Sequence, residues 1–132
     1  MLLVLMAFSI YISWVDIKSH RISNSSLLFG SVVFIFLILV EDRSLFWVSA
    51  LLTLALAPLA LRAKIGAGDI KLTIILSLFF LPSNLSTLLQ FLPAFTLISS
   101  ALLIFNFAKE KSLSSSIPLA PAICGAVIWC AR

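Results

Sequence analysis

Two aspartates are the residues of this chain whose type and setting could do chemistry. Asp69 stands in Gly66-Ala67-Gly68-Asp69 at the mouth of one apolar segment, and Asp16 closes another. An ionisable side chain at the edge of a membrane segment is costly and marks a functional position. Two carboxylates close together in a poorly solvated site cannot both ionise, so one keeps a proton. The ionised partner can then take a proton from water while the protonated one polarises a carbonyl. That is aspartic peptide hydrolysis, and such a pair titrates as a unit. Helix-end electrostatics alone would make Asp69, near an amino end, the anion and Asp16, near a carboxyl end, the acid. Gly66 and Gly68, without Cβ, let another backbone approach and let the chain turn before the helix. A peptide presented in extended form needs that room.

The elements that must hold this pair are membrane helices. Of 132 residues 62% are hydrophobic and only 11% charged, with a mean hydropathy of +1.22, too little polar surface to coat a soluble globule. Apolar runs cover Met1–Val15, Leu27–Val40, Leu45–Leu61, Ile70–Leu81, Leu85–Ala108 and Ile117–Ala131. These predict six helices in a single all-α transmembrane bundle spanning residues 1–132. Several runs fall short of the roughly 20 residues a crossing needs, so their ends must recruit neighbours. The first then passes through Asp16 and Ile17, and the fourth begins nearer Ile65 or Gly66, which draws both aspartates to one edge of the bilayer. The first run has no basic region before it and no small-residue cleavage pattern, so it is expected to stay as a spanning helix.

Seven of the nine basic residues fall in the first, third and fifth connections: Lys18 and Arg21, then Arg62, Lys64 and Lys71, then Lys109 and Lys111. Short cytoplasmic loops carry such an excess, which places the N-terminus outside and both aspartates at the cytoplasmic face. The net charge of +4 is scattered singly and forms no stripe or arm, so nucleic acid is not an expected partner.

Other polar residues have plainer readings. His20, the sole histidine, lies in the basic first connection, and without ligands at the right spacing it makes no metal site. Cys124 and Cys130 are too far apart along one helix to bridge and are expected to be packing residues. Trp14, Trp47 and Trp129 near segment ends fit an aromatic belt, and Lys18 and Lys71 are expected to anchor helix ends at the headgroups. Pro58 and Pro93 would kink their helices.

The stretch Asp16-Ile17-Lys18-Ser19-His20-Arg21-Ile22-Ser23-Asn24 resembles the Asp-x5-Ile-Pro-Asn signature of bacterial type IV prepilin peptidases. Gly66-Ala67-Gly68-Asp69-Ile70-Lys71-Leu72 is similar to their Gly-x-Gly-Asp-x-Lys-Leu motif. Ile117-Pro118-Leu119-Ala120-Pro121 is similar to the opening of the family's last helix. The three occur in the family's order and span nearly the whole chain. The resemblance implies an intramembrane aspartic endopeptidase of the bacterial inner membrane, with no cofactor. Asp16 and Asp69 would be its catalytic pair, with Gly66, Gly68, Lys71, Asn24, Pro118 and Pro121 shaping the site. Its substrate would be a prepilin-like protein whose basic leader is cut at the cytoplasmic face. The chain lacks the insert with paired CxxC motifs found in the longer, methylating members and looks more like the short enzymes of Tad (Flp) pilus systems. It departs from the pattern at Ser23, where proline is usual and whose loss of a fixed φ is expected to loosen the loop. It departs again after Leu72, where the run lacks glycines and close packing of the fourth helix comes into question.

Two other classes compete. A small proton- or cation-coupled transporter component would use the same aspartates as a relay, but a relay wants acidic stations at intermediate depth and the sequence offers none. A scaffold of a secretion or pilus assembly would keep the fold without activity, and would have no need of the carboxylate pair.

Overall fold

The computed structural model describes residues 1–19, 22–42, 44–62, 65–110 and 119–131. Six helices make up the described residues, with no strand: α1 Leu2–Ser19, α2 Asn24–Glu41, α3 Trp47–Arg62, α4 Ala67–Phe80, α5 Leu85–Glu110 and α6 Ala120–Cys130. Helices α1, α2 and α5 are long and apolar enough to cross a membrane, and α3 and α6 are shorter apolar helices. The protein is an α-helical membrane protein. His20, Lys64, Lys111 and Pro118 lie outside the described residues.

The short helices α4 and α6 form the centre. Helices α2 and α3 pack on α4, α1 and α5 pack on α6, and α4 meets α6 directly. Small residues make this possible: Ala120, Ala122 and Ala126 of α6 are buried, and small side chains let helix backbones approach where apolar lipid supplies no driving force of its own. Ile98 of α5 lies where a Cβ on Gly125 would stand, so those helices meet closely. The expected weakness of α4 is overturned. Leu72, Leu76 and Ser77 are fully buried, because bulky α4 side chains fill the space that the alanines of α6 leave.

At the end away from Asp16, Phe34 of α2 is buried between rings: Phe8 at 5.2 Å and 78°, Phe79 at 5.5 Å and 49°, and Phe80 at 5.1 Å and 83° between centroids and planes. The edge-on pairs are the arrangement the ring quadrupoles favour. Thr53 Oγ1 and Ser77 Oγ, 3.0 Å apart, tie α3 to α4 by a hydrogen bond inside the bundle. Trp14, Trp47 and Trp129 are exposed near helix ends as expected, and Cys124 and Cys130 are free thiols.

Candidate active site

Asp16 lies in the last turn of α1 on the face that carries Leu5, Ser9 and Ile12, positions three or four residues apart that a helix stacks on one side. That face packs on α6, and Asp16 is 5% exposed. Its Oδ2 accepts the backbone N–H of Ala120 at 3.1 Å. Ala120 opens α6, with Pro121 in the first turn. The first N–H groups of a helix have no partner within it, and proline is favoured there because it has no N–H to satisfy. The carboxylate of Asp16 therefore completes the amino end of α6, where the helix dipole favours negative charge. Helix-end reasoning from α1 alone favoured the acid form. The contact with α6 adds an influence of the opposite sign.

Asp69 stands in the first turn of α4, half-buried, three residues after the N-cap Gly66. The Gly66 carbonyl accepts the N–H groups of Asp69 at 3.0 Å and Ile70 at 3.2 Å. No glycine of the described chain has positive φ, and Gly66 has φ −59° and ψ 137°. The motif therefore does not need glycine in order to turn. It needs the space: a Cβ on Gly66 would stand 3.0 Å from Asp69 Oδ2, and one on Gly68 would stand 3.2 Å from Ile22 Cβ. Asp69 thus folds back over Gly66, and the chain leading into α2 lies against Gly68.

The two carboxylates come within electrostatic reach of each other, one from the end of α1 and one from the start of α4. Beside them, Lys71 Nζ donates to Asn24 Oδ1 at 3.0 Å, linking the first turns of α4 and α2. Lys71, expected to anchor a helix end and to shape the site, ties two helices together. Of the eight residues singled out from the sequence, Pro118 falls outside the described residues. The other seven gather at one end of the bundle, where α1 ends and α2, α4 and α6 begin.

The family model of the type IV leader peptidases matches residues 3–108, most of the chain. The chain belongs to the type IV leader peptidase family. Among curated proteins and solved structures nothing matches it. As a leader peptidase it is a protease, and Asp16 and Asp69 both fall within the matched residues.

At its departure from the family pattern, Ser23, the leader peptidase keeps a proline-like backbone. Ser23 has φ −73°, close to the angle that proline enforces, and its Oγ accepts the Ser26 N–H at 3.1 Å as the N-cap of α2. The hydroxyl supplies by a hydrogen bond what a ring would supply by covalent constraint. Sequence reasoning missed two contributors. The Ala120 N–H is a backbone group and has no side-chain signature; the trace that could have found it is Pro121, which marks a helix start. Ile22, which closes on Gly68, gives no such sign.

Proposed function

We propose that this leader peptidase is an aspartic endopeptidase that removes the basic leader of a prepilin-like protein at the cytoplasmic face of the bacterial inner membrane. The observation that carries the reading is the approach of Asp16 and Asp69 from two helices, with Asp16 buried and bonded to the amino end of α6. Asp16 is the ionised partner, because a backbone N–H and a helix amino end both favour its anion. Asp69 carries the shared proton.

In the reaction Asp16 takes a proton from water, whose hydroxyl adds to the scissile carbonyl carbon as Asp69 gives its proton to the carbonyl oxygen. The tetrahedral adduct then returns that proton to Asp69 as the carbonyl re-forms. The C–N bond breaks, and the leaving nitrogen takes the proton held on Asp16. The products are the leader's carboxyl end and the new amino terminus of the mature protein. Gly66 and Gly68 leave backbone room beside Asp69, and the Lys71–Asn24 tie holds α4 and α2 in register around it.

The test is co-expression with a candidate prepilin, with leader removal read by gel shift. Asp16→Asn and Asp69→Asn are each expected to lower cleavage by about 10²–10⁴-fold, the worth of a positioned acid or base, while the protein stays folded in the membrane. Cleavage at the original rate in either variant overturns the mechanism. A coupled transporter draws no support from the bundle. The described acidic residues Asp16, Glu41, Asp42, Asp69 and Glu110 all stand at helix ends, so among the described residues a relay across the membrane has no station between them.

A further inference from the structure

The seam between α1 and α6 is polar well beyond the carboxylates. On α1, Ser13 and Ser9 lie about one and two turns from Asp16 on the same helix face, so Ser9 is about 10 Å deeper along the axis. On α6, Cys124 lies one turn beyond Ala120, whose N–H binds Asp16. Cys124 is 2% exposed, and its thiol sits beside the hydroxyls of Ser9 and Ser13, within electrostatic reach of Asp16 and Asp69. Ser9 is 3% exposed, and apart from the Cys124 thiol beside it its Oγ has no hydrogen-bond partner among the described residues. Around this column stand Leu5, Ile12, Leu72 and Leu76, all fully buried.

A buried hydroxyl left unsatisfied is costly, and native interiors meet that cost with ordered water where two to four polar partners converge. Here they do: Ser9 and Ser13 of α1 face Cys124 of α6 across the seam, and the column ends on a carboxylate.

We propose that Ser9, Ser13 and Cys124 line a polar shaft that leads from Asp16 into the bundle and holds water hydrogen-bonded through to that carboxylate. The three are positioning residues for the hydrolysis, and this role rests on the function proposed above. Water in the shaft fixes the orientation of the Asp16 carboxylate from below while Ala120 N–H fixes it from the side. The reactive water meets Asp16 from the peptide side.

The test uses the full chain in membranes with Cys130→Ser, which leaves Cys124 as the sole thiol, and follows its S–H stretching band by infrared spectroscopy on transfer into D2O. The expected result is prompt replacement of S–H by S–D in the folded protein, slowed at least tenfold by Ser9→Ala. An S–H band that persists until the protein is unfolded overturns the proposal. In the leader-removal assay Ser9→Ala and Cys124→Val are each expected to lower kcat about tenfold with KM unchanged, about the worth of one hydrogen bond in the chain that reaches the carboxylate, while Cys124→Ser retains the original kcat. Original kcat in both Ser9→Ala and Cys124→Val overturns it as well. Should Asp16→Asn and Asp69→Asn still cleave, the hydrolytic mechanism falls and thiol exchange alone decides whether the shaft exists. Should they be inactive while Ser9→Ala and Cys124→Val both turn over normally, the shaft falls alone.

Discussion

The side chain of Asp69 is held in place by what Gly66 lacks. With Oδ2 3.0 Å from the point where a Cβ would stand, Gly66→Ala must push the carboxylate outward by a few tenths of an ångström or tilt the first turn of α4. Misplacing a catalytic group by about 1 Å costs about 10²-fold in rate, so a smaller shift is expected to lower kcat by about tenfold. Glycine and alanine differ by no more than about 1 kcal/mol at an N-cap, so the thermal midpoint should move little. Steady-state kinetics of leader removal beside thermal unfolding in detergent separates the two effects. A fall in stability without a fall in kcat would mean that Gly66 serves the helix and not the carboxylate.

Helix starts do most of the positioning in this bundle, and their caps are testable one element at a time. Ser23→Ala removes the hydroxyl that caps α2 and is expected to cost about 1 kcal/mol in unfolding measurements. Ser23→Pro loses the same hydroxyl but fits φ −73° and restricts the unfolded chain, which returns about 0.4–1 kcal/mol, so it should be nearly neutral. The same elements show what a sequence can and cannot disclose. Apolar runs located all six helices, because length and hydropathy are local properties. Their ends are set by caps and neighbours: α2 begins at Asn24 because Ser23 caps it, and α6 begins at Ala120. Asp16 and Asp69 were legible because a carboxylate in an apolar segment is conspicuous. The Ala120 N–H, the fit of Ile22 to Gly68 and the tight seat of Leu72 and Leu76 were not, since each depends on which helix lies opposite.

Across the whole molecule, packing and charge both bear on one end of the bundle. Because α6 is central and carries the N–H that holds Asp16, a crowding change far from the carboxylates should still reach them. Ala126→Leu overfills a fully buried position, is expected to cost about 1–3 kcal/mol, and should lower leader removal along with stability. Leu97→Ala on the exposed face of α5 should change neither. Charge sets which end faces the cytoplasm. Among the described residues Lys18, Arg62 and Lys71 stand at the end that holds both aspartates, whereas Glu41 and Asp42 stand at the other. Basic residues in short connections are retained on the cytoplasmic side, so the carboxylates should face inward. In a chain with Cys130→Ser, and with Cys124 buried, an impermeant maleimide applied to intact cells should label Ser83→Cys, between α4 and α5, and spare Ser19→Cys, at the end of α1, until the membrane is opened. The reverse pattern would put Asp16 and Asp69 on the outer face, and a leader presented from the cytoplasm could not reach them.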